Sequence, residues 1–232
     1  MKAFVVAAAV VAIAVGATVQ VGTVSAKNID RIRDAAQVLR EIHAVPDKDI
    51  PQELWEKADC VVVIPSLKKG AFIVGGEFGE GLMSCRRGRG WSAPVFMDLE
   101  KGSWGLQIGA QSIDLVLLVM NKEGMEKLLS NKVALGAEAS VAAGPVGRDA
   151  RAGTDAKLDA QILSYSRTKG LFAGIDISGG VLKPDKDHNA DLYGKDVDAR
   201  TVVMTGNVAS PAAARPFMDA LNREAVATTG KK

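Results

Sequence analysis

Cys60-Val61-Val62-Val63-Ile64 begins the stretch whose reading decides the fold, because past Ala58 helical spacing gives way to runs of β character. Residues 60–64, 71–75, 81–85, 93–98 and 103–110 read as strands. Basic or glycine-rich turns separate them: Lys68-Lys69-Gly70, Gly79-Glu80-Gly81 and Arg86-Arg87-Gly88-Arg89-Gly90. Taken as a meander, the first strand starts at the end of the sheet opposite to where the third finishes. That geometry puts Cys60 and Cys85 beyond disulfide reach and predicts buried free thiols. It also brings Lys68 and Lys69 to the same end of the sheet as Arg86, Arg87 and Arg89. The glycine-rich residues 75–81 resemble a phosphate loop superficially, but Glu77 and Glu80 would repel a phosphate and no helix follows, so a turn is expected.

Outward from this stretch, residues 113–120 are nearly all apolar, which suits a strand buried on both faces. Residues 121–130 read as a short helix. Residues 134–147 are almost all small and can be extended only against closely approaching neighbours. Leu158, Ala160, Ile162 and Ser164 alternate with Asp159, Gln161, Leu163 and Tyr165; after Arg167-Thr168-Lys169-Gly170 a second alternation follows, making a hairpin. Upstream, Ile29, Ile32, Ala36, Leu39 and Ile42 recur at helical spacing, with Asn28 as the expected cap and Pro46 as the stop. Pro51 opens a second, short helix. Ala214, Phe217, Met218 and Leu221 mark a packed helix near the C-terminus. The fold class is α+β: an antiparallel β-rich core, as a meander or barrel-like sheet, with helices at both termini.

At the N-terminus, Lys2 precedes an uncharged run from Ala3 to Ala26 that ends in Val24-Ser25-Ala26. A positive start, an apolar stretch and small residues at the end describe a secretory signal peptide over residues 1–26, with an uncleaved anchor as the alternative. A single domain over residues 27–232 follows, exported to the periplasm or cell envelope and peripheral to the membrane. Lys+Arg 29 against Asp+Glu 27 leaves a net charge of +2, which argues against a nucleic-acid partner. With 47% hydrophobic residues the chain suits a packed domain, and with 2 His and 2 Cys it has little material for metal or triad chemistry.

His43 and His188 lie in no nucleophile-elbow or HExxH setting and read as surface histidines. Asp185, Asp187, Asn189, Asp191 and Asp196 match EF-hand loop spacing. Ala190, however, stands where glycine is needed and no helix former precedes, so a solvated acidic turn is expected and no metal or other cofactor. Gly144-Pro145-Val146-Gly147-Arg148 could present backbone N–H groups and Arg148 to an anion, although a demanding turn explains it as well. Lys68, Lys69, Arg86, Arg87 and Arg89, with Trp91 as the nearest amphipathic ring, form the candidate contact with anionic lipid headgroups.

Three longer motifs carry a resemblance. Residues 102–112 (Gly102-Ser103-Trp104-Gly105-Leu106-Gln107 onward), residues 139–148, and residues 162–174 around Ser164-Tyr165-Ser166-Arg167 resemble the SYLF lipid-binding domain family, in order and over almost the whole mature chain. The resemblance implies a non-enzymatic phospholipid-binding protein, with phosphoinositide and actin binding among eukaryotic members. It supplies no catalytic residues. The sequence departs from the family in lacking a lipobox cysteine and a basic N-terminal extension, so actin is not an expected partner. The partners that follow are an anionic phospholipid or membrane surface and, as the alternative, a protein partner in the periplasm.

Overall fold

The computed structural model describes residues 24–42, 49–70, 74–88, 90–104, 112–147, 159–168, 171–195 and 197–227. Helix α1 (Ala26–Arg40) is capped by Ser25, whose side chain accepts from the Asn28 N–H; Asn28 itself lies inside the helix and is buried. After α2 (Gln52–Lys57) the chain enters a 10-stranded sheet. Its strands are β1 (Cys60–Gly70), β2 (Val74–Arg87), β3 (Gly90–Trp91), β4 (Val95–Trp104) and β5 (Ser112–Val119), then β6 (Val133–Ala134), β7 (Val141–Ala143), β8 (Ile162–Thr168), β9 (Leu171–Gly174) and β10 (Gly180–Pro184). The spatial order is β6-β10-β4-β2-β1-β5-β8-β7, with β3 on β2 and β9 on β8. Of the strand pairings among the described residues, only β7 with β8 is parallel. Four further helices are α3 (Lys122–Leu128), α4 (Lys186–Tyr193), α5 (Ala199–Thr205) and α6 (Arg215–Ala227).

The sheet is curled into a half-barrel and both of its faces are covered. On one face Val61, Val63, Leu82, Val116 and Leu163 pack under α1 and α6 through Ile32, Leu39, Phe217 and Leu221. On the other, Val62, Met83, Met97, Leu115 and Leu117 pack with Leu128, at the end of α3, and with Val202 and Val203 of α5. Two-sided burial is why the central strand β5 reads as an unbroken apolar run instead of an alternation. The α+β class with terminal helices is therefore as the sequence predicts. No helix among the described residues is long and apolar enough to cross a membrane.

The strand boundaries overturn one expectation and, with it, two others. Residues 71–73 of the expected second strand lie outside the described residues, and residues 74–75 and 81–85 do not form separate strands. Val74–Arg87 is one continuous strand, paired antiparallel to β1 from Lys68↔Phe78 through Cys60↔Cys85. The expected turn at Gly79-Glu80-Gly81 is strand because β1 bulges at Pro65-Ser66 and presses on β2. A Cβ at Gly79 would come within 2.5 Å of Ile64 Cγ2, and one at Gly81 within 2.2 Å of the Val63 carbonyl oxygen. The glycines answer a close approach, not a reversal.

Cys60 and Cys85 are consequently opposite each other, and they form a disulfide with Cα atoms 3.9 Å apart. The expected free thiols are corrected by the hairpin register. The acidic stretch from Asp185 is corrected too: residues 186–193 are helical, and Asp185 is the buried cap of α4, accepting from the His188 N–H at 3.1 Å. A helix cannot place residues 185–196 around a cation as an EF-hand loop does.

Candidate functional site

The basic clusters lie at opposite ends of the β1–β2 hairpin. Lys68 pairs with Phe78 near its turn, whereas Arg86 and Arg87 pair with β3 beyond the Cys60↔Cys85 position. Eight residues of strand separate Lys68 from Cys60, a distance of roughly 25 Å. The structure therefore does not bring Lys68 and Lys69 together with Arg86 and Arg87. Arg89 and Arg148 lie outside the described residues, as does His43.

Arg86 and Arg87 are committed to the fold. Arg86 donates from Nε to the Ala58 carbonyl at 3.0 Å and from Nη2 to the Trp55 carbonyl at 2.9 Å. Its guanidinium carbon stands 4.4 Å from the centroid of Trp91, and burial pulls its pKa below the usual guanidinium value. Trp91 is itself buried, 6.3 Å from Trp55 between ring centroids. Arg87 donates to the carbonyls of Val203 and Met204 at the end of α5, where a cation suits the helix dipole. In sequence these residues cannot be told from solvated cations beside an interfacial ring, because the partners are backbone carbonyls from distant segments.

At the other end of the hairpin Lys68 is exposed. Its register partner Phe78 is 44% exposed, and Leu171 of β9 is 47% exposed. Strand pairing places these at one end of the sheet, since Lys68 also aligns with Ser112 at the start of β5 and Thr168 with Leu171. Lys69 occupies the next position of β1. Neither exposed apolar residue was singled out by sequence, because one sits in a strand mistaken for a turn and the other beside a turn.

A third constellation lies where α1, β2, β4 and α4 meet. Arg31, buried, pairs with Glu80 at 2.7 Å and with Asp185 at 3.5 Å, and its guanidinium carbon is 5.0 Å from the Phe96 ring centroid. Lys27 reaches Glu80 from the helix start at 3.0 Å, and His188 Nδ1 lies 2.5 Å from Asp185. Asp98 completes the cluster: burial, then repulsion from Asp185, raises its pKa to about 6 against the pull of Lys183, and its Oδ1 is buried without a hydrogen-bond partner. Glu80, Asp185 and His188 offer ligand atoms within 4.8 Å of one another, but a metal ion there would compete with Arg31 for both carboxylates. The arrangement is an ion-pair network that fastens α1 and α4 to the sheet. A second network does the same at the far end of α1: Arg167 bridges Glu41 and Asp114, and Asp114 accepts from the Ser66 N–H at the β1 bulge at 2.9 Å.

The segment Gly144–Gly147 is shaped by packing. A Cβ on Gly144 would lie 2.0 Å from Cζ of the buried Tyr165, and one on Gly174 would lie 2.2 Å from the Gly144 carbonyl oxygen. Gly147 has φ +55°, a left-handed value, and its N–H donates to the Asp49 carbonyl at 3.0 Å.

A curled, mostly antiparallel half-barrel clad by terminal helices, with Arg31, Arg86, Arg87 and Arg167 engaged within the fold, defines a small α+β domain. The chain belongs to the Ysc84 family, described as Las17-binding protein actin regulator, whose model matches residues 100–224. The chain is 38% identical over 177 residues to the SH3 domain-containing protein PJ696.02 of Schizosaccharomyces pombe, covering 75% of this chain and 41% of that protein. It is 32% identical over 197 residues to SH3 domain-containing YSC84-like protein 1 of Rattus norvegicus, covering 82% and 57%. It is 30% identical over 183 residues to LAS seventeen-binding protein 3 of Saccharomyces cerevisiae, covering 77% and 39%. The chain thus spans about two-fifths to three-fifths of the length of these relatives, the last of which is named as a binding protein.

Proposed function

We propose that the chain is a non-enzymatic phospholipid-binding protein of the bacterial cell envelope, which touches anionic lipid at the turn end of the β1–β2 hairpin. The observation that carries this reading is the pairing of exposed Lys68 with exposed Phe78 at one end of the sheet. A cation beside an unburied ring suits the headgroup layer, and each Lys or Arg near an anionic surface contributes on the order of 1 kcal/mol. Lys69, the next residue of β1, belongs to the same candidate contact. Arg86, Arg87 and Trp91 support the fold at the opposite end and leave this contact to the lysines. Export is favoured by the signal-like N-terminus and by the disulfide, since such bonds persist in oxidising compartments. Flotation of the chain with phosphatidylcholine vesicles, with and without an anionic lipid, tests the reading. Association that requires the anionic lipid and weakens with salt is expected; no association with either vesicle refutes it.

A second reading, a protein-interaction role without a lipid ligand, draws on the family description and on the relative named as binding LAS seventeen. One stoichiometric protein partner in a pull-down, together with negative flotation, would favour it.

A further inference from the structure

Strand β1 carries a proline although it is a central strand, with β2 on one side and β5 on the other. Pro65 has no N–H to give a ladder, so the strand tolerates it only at a bulge. The bulge inserts one residue against both neighbours. From Val63 to Lys68, five steps along β1 face four along β2, from Leu82 to Phe78. From Ile64 to Leu67, three steps face two along β5, from Leu115 to Ile113.

One inserted residue exchanges the faces of everything beyond it. Cys60, Val62 and Ile64 belong to the core layer shared with α5. Unbroken alternation would send residue 68 to that same layer and Leu67 to the face under α1. The bulge does the reverse. Leu67 is 1% exposed in the α5-side layer, whereas Lys68 is exposed and lines, with Phe78, a groove against α1.

The bulge is held from outside β1. Ser66 has φ +56° and is the one non-glycine residue with positive φ among the described residues. That conformation is costly for a residue with a Cβ. The Ser66 N–H donates to Asp114 Oδ1 at 2.9 Å. The other oxygen of that carboxylate accepts from Arg167 Nε, also at 2.9 Å, and Arg167 is pinned in turn by Glu41, the C-cap of α1. Asp114 and Arg167 are direct cross-strand partners on β5 and β8, which keeps the acceptor in one place.

We propose that Asp114 and Arg167 are positioning residues for the lipid contact: by holding Ser66 in its left-handed conformation they fix the bulge, and the bulge turns Lys68 outward beside Phe78. The role in lipid binding rests on the reading given above; the placement of Lys68 does not.

The test uses the full chain and reads Lys68 directly, by acylation with a small amine-reactive ester and peptide mass spectrometry, with the exposed Lys132 as internal reference. Asp114→Ala should reduce Lys68 acylation by about threefold or more, as the residue turns toward the core face, and leave Lys132 unchanged. Arg167→Gln, which leaves Asp114 its acceptor oxygens but no anchor, should give a smaller fall. Adding Ser66→Gly to Asp114→Ala should restore Lys68 acylation, because glycine holds a positive φ without an external acceptor. The melting temperature of that double variant should stay below wild type, since Arg167 still lacks its carboxylate; a merely stabilising Asp114 would not separate the two readouts. In flotation on phosphatidylcholine vesicles containing phosphatidylserine, association should fall with Asp114→Ala and return with the added Ser66→Gly. Lys68 acylation at the wild-type rate in both Asp114→Ala and Arg167→Gln overturns the proposal, as does vesicle association that ignores a loss of acylation. A wild-type chain that floats with no vesicle, with or without phosphatidylserine, sinks the lipid reading instead, and the acylation series then decides the placement of Lys68 by itself.

Discussion

Reducing the Cys60–Cys85 disulfide should destabilise the fold by about 3 kcal/mol. The two cysteines are separated by 25 residues and face each other across the β1–β2 hairpin. Closing a loop of that length removes an unfolded-state entropy of about 12 cal/mol/K in the chain-entropy treatment, or roughly 3.5 kcal/mol at 25 °C. Both side chains are buried, and reduction keeps every heavy atom, so no cavity opens to add to the loss. For a domain of this size the effect lowers the melting temperature by about 7–14 °C. The assay is urea unfolding followed by fluorescence of the buried Trp55 and Trp91, with and without a phosphine reductant. The variant Cys60→Ala/Cys85→Ala provides a reference that reductant should not shift. Identical midpoints for oxidised and reduced wild type, or two titratable thiols in protein refolded under air, would refute the reasoning and return the cysteines to the unpaired state.

Asp98 should make stability fall as pH rises through the weakly acidic range. Its folded pKa, about 6, exceeds its unfolded value, so the folded state binds the extra proton; stability is gained as pH drops from about 7 toward 4. After discounting for partial exposure the change is about 1–2 kcal/mol, and Asp98→Asn should flatten the dependence while raising stability at pH 7.5, both read by urea titration. Arg31→Met should cost about 3 kcal/mol by the same measurement, because Glu80 and Asp185 would keep their charges without their buried counterion. Gly144→Ala should lower stability by about 1–3 kcal/mol through its collision with Tyr165. Gly147→Ala should cost on the order of 1 kcal/mol for a left-handed backbone. In both glycine variants a calorimetric scan should show the melting temperature fall before vesicle binding changes.

What could be read in the sequence follows from how local each determinant is. The apolar run at residues 113–120, the alternation flanking Arg167-Thr168-Lys169-Gly170 and the apolar spacing of α1 and α6 report burial directly, and β5, the β8–β9 hairpin and both terminal helices appear where they indicate. The glycines of residues 75–81 carry an ambiguous message, since a missing side chain serves a reversal and a close approach equally. Only the bulge at Pro65-Ser66, a feature of the neighbouring strand, decides between them. From that one choice came the mistaken separation of the cysteines and the mistaken union of the basic clusters. Strand β10 and helix α5 were not foreseen; β10 is bracketed by Gly180 and Pro184, residues that usually mark turns. The Arg31 network was hidden for a different reason, as its members come from α1, β2, β4 and α4 and share no local pattern.

The central claim is that the turn end of the β1–β2 hairpin meets anionic lipid while the Arg86–Trp91 end supports the fold. Its most direct test compares Lys68→Glu/Lys69→Glu with wild type in flotation on vesicles containing phosphatidylserine, across a salt series. Two charge reversals near the surface remove on the order of 4 kcal/mol of attraction at low salt. The account predicts that the variant melts like wild type, loses most of its vesicle association and shows a flattened salt dependence. Vesicle association equal to wild type at every salt concentration would contradict it.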